Sequence, residues 1–344
     1  MHGTRLTDGN PMTITQDGWT FRAQPGATRL RVLLLTSDDP QHAWLRLMLS
    51  QQVDLLATIV EPGAAQKRRL LGKRRWRDLA YRHYQGRRQA LTGRARWRRE
   101  YFARLSEDLP PATSPVHRVV SVNAATTRRL VSEIRPDLTV ICGTGVLGRR
   151  LITDTPGMMV NIHGGWLPEY KGNHGVYFAY LHQDWGRIGA TLHLVTPVLD
   201  AGPVLDRVTP GWMPGDTDEQ LYTRSVHRAA LRLTERVHLL ERGEPWTATP
   251  QEPHGVTYRH RDRKPLPELG LWHRRLTGRH RLPDARTPAA PALRSDTAEQ
   301  IAELGYLIAP GDPTRLRRRI ATALRHRRTA MGGPAQPTRA REDS

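Results

Sequence analysis

Residues 158–163 read Met-Met-Val-Asn-Ile-His, a short apolar run that passes directly into polar residues at alternate positions. Side chains alternate between the two faces of a β-strand, so Asn161 and His163 share one face while Ile162 points into a core. An amide and an imidazole side by side at a strand end are suited to chemistry rather than to packing. We therefore expect a functional site where this strand ends.

Further apolar runs before this strand predict a parallel sheet. Strand, helix and strand follow one another within about thirty residues, which is typical of a right-handed βαβ unit. The pattern predicts an α/β fold with a Rossmann-like, mostly parallel sheet and helices on both faces. The predicted strands are 31–37, 55–60, 116–122 and 138–142, and the predicted helices are 41–51 and 124–135.

The chain after His163 also alternates between regular elements and turns. Residues 190–195 and 204–208 are predicted strands, the second antiparallel, and the turn Leu199-Asp-Ala-Gly-Pro203 separates them. Asp216-Thr-Asp-Glu219 resembles a capping box and opens a long amphipathic helix that ends at Gly243. This helix is predicted to close the core.

Four pieces of the sequence occur in a fixed order. They are Asn161-Ile-His163, Leu167–Gly172, Gly189-x-Thr191-x-His193 and Asp200-Ala-Gly202-Pro203. The ordered set resembles the folate-dependent formyltransferases, which include glycinamide ribonucleotide, methionyl-tRNA and sugar-amine N-formyltransferases. The resemblance extends over roughly residues 30–241 and implies the formyltransferase fold.

Formyl transfer is an acyl transfer in which an amine attacks the formyl carbon, an oxyanion forms, and the amine loses a proton. The resemblance implies that Asn161 donates an N–H group to the oxyanion. It implies that His163 donates to the same oxyanion or shuttles the proton. Asp200 would hold the tautomer of His163, or accept the amine proton directly or through water. The implied donor is 10-formyltetrahydrofolate, without a metal.

Residues 143–148 read Gly-Thr-Gly-Val-Leu-Gly and formally match G-x-G-x-x-G. They do not predict a dinucleotide site, because that fingerprint belongs on the first βα turn, with an acidic residue about 20 positions later. In the formyltransferases the corresponding loop offers backbone groups to the pterin, whereas an ordinary tight turn is the simpler interpretation. The residues expected to bind the donor are Gly143, Thr144, Gly145, Val146, Leu147 and Asp200.

The stretch after His163 departs from the pattern of the methionyl-tRNA and glycinamide ribonucleotide enzymes. Those enzymes typically have Pro-Ser after the histidine, where this chain has Gly164-Gly165-Trp166. Since aromatic faces stack on rings, the change suits a sugar or another ring-shaped acceptor. The residues expected to bind the acceptor are Gly164, Gly165, Trp166, Lys171, Asn173 and His174. His193 fits the Thr-x-His pattern and is expected to contact the catalytic residues rather than the substrate.

Composition divides the chain further. We predict a flexible extension over 1–28, a catalytic domain over 29–243, a short extension of the core over 244–278, and a Pro/Arg-rich linker with a basic helical tail over 279–344. Residues 66–105, rich in Arg and aromatic residues, are predicted to be a helical insertion. Either a helix of this insertion covers the sheet edge and its Arg face is solvated, or the basic surface binds an anionic partner, such as a phosphorylated substrate, RNA or a carrier protein.

The formal net charge of +20 favours anionic partners, although an Arg-rich coding bias explains it equally well. The single cysteine, Cys142, excludes an intrachain disulfide and fits a cytoplasmic protein. No run approaches the ~18 apolar residues of a membrane span. The His and Cys spacing matches no zinc motif, so no metal site is predicted.

The predicted function is an N-formyltransferase that moves a formyl group from 10-formyltetrahydrofolate to a small-molecule amine, such as an amino sugar nucleotide or a specialised metabolite. Three alternatives stay open. A methionyl-tRNA formyltransferase is favoured by the net charge, and a formyltetrahydrofolate hydrolase would use the same residues. The third is a formyltransferase-like scaffold that binds RNA or a protein partner.

Overall fold

Pairing between apolar runs that lie far apart in the sequence builds the sheet that carries the site. The computed structural model describes residues 14–23, 29–212, 215–252 and 254–280. Within these residues the strands are β1 (Ile14–Asp17), β2 (Thr20–Ala23), β3 (Arg31–Thr36), β4 (Asp54–Val60), β5 (Val116–Arg118), β6 (Leu138–Cys142), β7 (Met158–His163), β8 (Tyr170–Gly172), β9 (Ala190–Leu194), β10 (Val204–Val208), β11 (Trp246–Thr247) and β12 (Val256–Tyr258).

Helices connect and cover these strands. They are α1 (Pro40–Gln52), α2 (Gly63–Gly72), α3 (Trp76–Leu91), α4 (Arg94–Ser106), α5 (Ala125–Ile134), α6 (Arg149–Asp154), α7 (Gly175–Leu181), α8 (Asp218–Glu241) and α9 (Pro265–Leu276). The capping box of α8 is present, with Thr217 as the N-cap and Gln220 as its partner.

The central sheet has the strand order β10-β9-β7-β6-β3-β4-β5. Strands β3 to β7 in this sheet run parallel, and β9 and β10 are added antiparallel. The chain leaves β3 toward one edge and returns to β6 on the other side of β3. This reversal is a topological switch point, where open α/β sheets bind their ligands beyond the carboxyl ends of the strands. The predicted α/β class with a mostly parallel sheet is confirmed.

Apolar side chains fill both faces of the sheet. On one face, Leu33 and Ile141 pack with Val131 of α5 and Leu151 of α6. On the other face α1 and α8 lie against the strands, and α4 packs on α1. Trp44 of α1 and Phe102 of α4 are both buried, with ring centroids 5.4 Å apart. The helices thus cover both faces of the sheet.

Three helices, α2 to α4, occupy the segment predicted to be a helical insertion. The Tyr101 hydroxyl lies 2.7 Å from Nδ1 of buried His227 in α8, so this aromatic residue packs inward. Trp76, by contrast, is 58% exposed. The segment therefore has a packed apolar side and a cationic side that faces outward.

Buried ion pairs hold this insertion to the core. Asp218, the first residue of α8, lies 2.9 Å from a guanidinium nitrogen of Arg94 in α4 and 2.8 Å from one of Arg263. Asp218 is buried, and these arginines hold the pKa of its carboxyl well below the usual range, against the opposing effect of burial. Because Arg263 precedes α9, one carboxylate joins the insertion, the core and the C-terminal segment.

Two predicted boundaries differ from the structure. β5 ends at Arg118 rather than Val122, because its neighbour β4 ends at Val60 and the Val119 N–H makes the last contact, 2.9 Å to the Val60 carbonyl oxygen. Residues 14–23, within the predicted flexible extension, form β1 and β2, and β2 pairs with β11. The partner strand β11 follows α8, far from β2 in the sequence, so local sequence patterns do not reveal the pairing.

The predicted short extension of the core, residues 244–278, contains strands and a helix. β12 pairs in parallel with β8, and α9 follows. Leu271 is the one buried residue of α9. The predicted tail beyond residue 280 lies outside the described residues. Among the residues that the structure describes, no helix is long and apolar enough to cross a membrane.

We expect Asp218→Asn to lower the free energy of unfolding by about 3 kcal/mol at pH 7, because it leaves half-buried Arg94 and buried Arg263 without this shared carboxylate. Urea denaturation measures the change. Glu100→Gln is the control: it removes the half-exposed partner of exposed Arg96 on the same insertion and should change the unfolding free energy by less than about 0.5 kcal/mol. Equal effects of the two substitutions would contradict the assignment.

Candidate active site

The antiparallel pairing of β7 with β9 brings the first two polar residues together. Asn161 lies opposite His193, and His163 lies opposite Thr191. The side-chain amide nitrogen of Asn161 is 2.9 Å from Nε2 of His193, and Nδ1 of His193 is 2.9 Å from the Leu194 carbonyl oxygen. The resulting chain of contacts runs from backbone to imidazole to amide.

The Leu194 carbonyl determines the direction of each hydrogen bond in this chain. A carbonyl only accepts, so Nδ1 of His193 carries the proton and Nε2 is the acceptor in the neutral ring. Burial lowers the pKa of His193 to about 4, with His163 as a secondary cause, so the ring is neutral near pH 7. Asn161 therefore donates one N–H to His193, and its second N–H makes no hydrogen bond to any residue that the structure describes.

His163 is oriented by a different backbone group. Its Nε2 lies 2.9 Å from the Tyr170 carbonyl oxygen, so Nε2 is the protonated nitrogen of the neutral ring. Nδ1 is then the basic nitrogen, and it lies 3.6 Å from a carboxylate oxygen of Asp200. Tyr170, rather than Asp200, holds the tautomer. Of the two roles considered for Asp200, this geometry favours proton acceptance.

Asp200 lies in the tight turn between β9 and β10. Its backbone has φ 51°, and its carboxylate accepts the Gly172 N–H at 2.7 Å. The turn depends on Gly202, since a Cβ atom there would lie 1.8 Å from the Leu194 carbonyl oxygen. The same Leu194 carbonyl that orients His193 therefore also packs against the turn that carries Asp200.

These four side chains form a buried polar group at one strand end. His163, His193 and Asp200 are each at least nine-tenths buried, and Asn161 is half-buried. The group offers one free amide N–H and, close to it, a basic nitrogen beside a carboxylate. It can stabilise a developing oxyanion and accept a proton, which are the two requirements of acyl transfer.

The predicted donor-binding residues 143–147 belong to the loop 143–148, called the donor loop, which follows β6 and lies beside this group. β6 pairs with β7, and Ile141 is the partner of Asn161, so the loop begins two residues beyond the position of the amide. Gly143 has φ 76°, and a Cβ atom there would lie 2.3 Å from the ring of buried His42. The predicted donor-binding residues are thus brought next to the predicted catalytic residues.

The acceptor residues predicted after His163 divide into two groups. The glycines allow close packing: a Cβ atom on Gly164 would lie 2.4 Å from the Tyr222 ring, and one on Gly165 would lie 2.8 Å from Nε2 of His163. Trp166 packs against Gly189 and under the Arg207 guanidinium, which is 5.6 Å from its ring centroid.

The second group contacts β12 and the residues on either side of it. The Lys171 ammonium group donates to the His254 carbonyl oxygen at 3.0 Å, and the Asn173 N–H donates to that of Tyr258 at 2.8 Å. His174 lies 3.1 Å from His260 through ring nitrogens, and burial lowers the pKa of His174 well below its usual value. The structure thus places Lys171, Asn173 and His174 along residues 254–260.

Several residues near the site were missed by sequence reasoning. Tyr222 of α8 covers Gly164, and Gln251 donates to the Asp200 carbonyl oxygen at 3.1 Å. Glu61 and Asn123 contact the donor loop. Glu61 follows β4 directly, so it satisfied the same strand-end criterion that selected Asn161 and His163. Among the described residues, no group of three or more His, Cys, Asp or Glu side chains is placed to hold a metal ion.

Comparison with known proteins agrees with this geometry. The model of the family described as formyl transferase matches residues 107–237, which include the donor loop, Asn161, His163 and Asp200. Residues 107–237 of this chain are therefore similar to the formyltransferase family. This assignment confirms the resemblance that the ordered motifs suggested.

Curated formyltransferases match only part of the chain. The methionyl-tRNA formyltransferase of Paramagnetospirillum magneticum is 28% identical over 200 residues, which are 57% of this chain and 64% of that protein. The phosphoribosylglycinamide formyltransferase of Mycobacterium tuberculosis is 34% identical over 139 residues, 40% of this chain and 57% of that protein. The matched part of the chain thus spans less than two thirds of the length of either relative.

Among solved structures, the phosphoribosylglycinamide formyltransferase of Anaplasma phagocytophilum superposes with a TM-score of 0.44 and 21% identity. The superposition covers 64% of this chain and 95% of the other.

We expect His193 to stay neutral from pH 8 to pH 5, since its pKa of about 4 lies below the usual 6.5. The unfolded chain takes up this proton near pH 6.5. His193 therefore makes stability fall as the pH drops from 6.5 toward 4, by up to about 1.4 kcal/mol per pH unit. The pH titration of its ring carbon resonances by NMR measures the pKa directly, and a midpoint near 6.5 would exclude the proposed neutral acceptor.

Proposed function

We propose that this protein is an N-formyltransferase that moves a formyl group from 10-formyltetrahydrofolate to the amine of a small molecule. The observation that supports this most is the amide of Asn161. One of its N–H groups is used by neutral His193, and the other has no partner among the described residues. An N–H group fixed in this way, beside a proton acceptor, is suited to an oxyanion that forms only during the reaction.

The proton of the attacking amine would go to the pair formed by His163 and Asp200. Nδ1 of His163 is the unprotonated nitrogen, because Nε2 donates to the Tyr170 carbonyl. Protonation of Nδ1 creates an imidazolium that faces the carboxylate of Asp200 at 3.6 Å. The carboxylate stabilises that charge, and the Gly172 N–H keeps it in place. The amine proton can reach this pair directly or through a water molecule.

The donor would be held on the side of residues 143–147, and the acceptor on the side of Gly164 and Tyr222. When it is bound, 10-formyltetrahydrofolate supplies the activated formyl group. Asn161 would orient the carbonyl oxygen of the formyl group. Because His163 and Asp200 are buried, they would restrict the access of water to the reacting formyl carbon. An amino sugar or a similar ring-shaped amine fits the aromatic residues around the acceptor side, Tyr222 and Trp166.

The experiment that tests this proposal combines the purified protein, 10-formyltetrahydrofolate and a panel of amines. Tetrahydrofolate formation that depends on an added amine, together with a product heavier by one formyl group, is the expected result. Formate release without any amine would instead establish a hydrolase. A protein that binds neither folate nor amine would contradict the proposal.

We expect Asn161→Ala to lower the single-turnover rate by about 10² or more, because the oxyanion loses its donor. We expect Asp200→Asn to abolish turnover while changing donor affinity much less, since its charge serves proton transfer. Thr15→Ala, far from the site in β1, is the activity control. A loss of donor affinity as large as the loss of rate in Asp200→Asn would show that the carboxylate recognises the donor instead.

A further inference from the structure

The donor loop, residues 143–148, is held by side chains from the opposite half of the sheet. The Gly145 N–H donates to a carboxylate oxygen of Glu61 at 2.9 Å. Asn123 forms two contacts: its amide N–H donates to the Val146 carbonyl at 2.9 Å, and its amide oxygen accepts the Gly148 N–H at 2.6 Å. Three backbone groups of one short loop are thus fixed by two side chains.

Glu61 is fully buried at the end of β4 and uses both of its oxygens. One accepts the Gly145 N–H, and the other forms an ion pair with Arg69 of α2. Arg69 also donates to the Ser121 hydroxyl at 2.9 Å. A buried carboxylate is costly to keep, and an apolar residue would pack at this position without that cost. The hydrogen bond from the loop to the Glu61 carboxylate therefore explains why a charged residue lies at this position.

Arg69 also touches the loop from the outside. A Cβ atom on Gly145 would lie 2.4 Å from its guanidinium, so the helix α2 and the loop are in direct contact. Gln66, one turn earlier on α2, reaches the Gly143 carbonyl oxygen at 3.4 Å. The first helix of the basic insertion is thus built against the donor loop.

The same contacts determine which backbone groups stay free. The N–H groups of Val146 and Leu147 and the carbonyl of Leu147 make no hydrogen bond to any residue in the described ranges. They provide adjacent donors and one acceptor at the end of β6. A planar heterocycle with a carbonyl next to a ring N–H, as in a pterin, pairs with such an edge.

We propose that Glu61, Arg69 and Asn123 are positioning residues that fix the donor loop, and that α2 is part of the donor site rather than a separate binding module. This inference rests on the proposed function, since it assigns the loop to the folate donor. A loop fixed before binding loses little conformational entropy when the donor binds. Loss of the contacts should therefore weaken donor affinity even though none of the three side chains touches the donor.

The first variant to test is Asn123→Ala, which removes both contacts at a half-buried position. We expect the dissociation constant for 5-formyltetrahydrofolate, measured by equilibrium dialysis, to rise about tenfold. The melting temperature should stay within a few degrees of that of the unsubstituted protein. Arg68→Met is the matched control on α2, because Arg68 is exposed and makes no ion pair or side-chain hydrogen bond within the described residues. It should bind the donor normally.

A matched pair of double variants tests Glu61 without leaving a buried charge unpaired. Glu61→Leu with Arg69→Met removes both charges and the acceptor for the Gly145 N–H, and it should weaken donor binding about tenfold. Glu61→Gln with Arg69→Met has the same net charge but restores an oxygen acceptor, and it should recover most of the lost affinity. Equal affinities of these two double variants, with Asn123→Ala unchanged from the unsubstituted protein, would overturn the inference.

Hydrogen exchange without any ligand separates this inference from the proposed function. We expect faster amide exchange over residues 143–148 in Asn123→Ala and in the Glu61→Leu double variant, with the rest of the sheet unchanged. Failure of the unsubstituted protein to bind 5-formyltetrahydrofolate would overturn the donor assignment and with it the donor-site role of α2. Unchanged exchange in the variants would overturn the positioning role alone.

Discussion

The antiparallel pairing of β7 with β9 is the constraint on which the site depends. It places Asn161 opposite His193, and His163 opposite Thr191. A register shift of one residue would turn Asn161 and His163 to the opposite face of the sheet. The Leu194 carbonyl, on the same strand, fixes the tautomer of His193 and packs against Gly202 in the turn that carries Asp200. One strand pair thus determines the positions of Asn161 and His163 and the tautomer of His193.

Backbone carbonyls, rather than carboxylates, orient both histidines. The Leu194 carbonyl holds His193 so that Nε2 accepts from Asn161, and the Tyr170 carbonyl holds His163 so that Nδ1 faces Asp200. Asp200 is consequently available to stabilise a protonated His163. The two histidines therefore have different roles, although both are buried imidazoles on neighbouring strands.

The apolar runs allowed the sheet to be predicted from the sequence, and the strand periodicity of residues 158–163 predicted that Asn161 and His163 share one face. The donor loop and Asp200 were predicted from the resemblance to the formyltransferases. Local patterns did not show what each side chain meets. Gly164 and Gly165 were predicted to bind the acceptor, and in the structure they lie against the Tyr222 ring and His163. These contacts depend on the position of α8 and on the path of the chain. The contact between Glu61 and Gly145 joins residues far apart in sequence, so no local spacing could reveal it.

The account predicts one geometry that a crystal structure of the protein with 5-formyltetrahydrofolate, a stable analogue of the donor, would test directly. The formyl oxygen should lie within hydrogen-bonding distance of the free N–H of Asn161, and the pterin ring should lie against the backbone of Val146 and Leu147. That result would join the catalytic group to its donor. A folate bound elsewhere, with Asn161 turned away from the formyl group, would contradict the account.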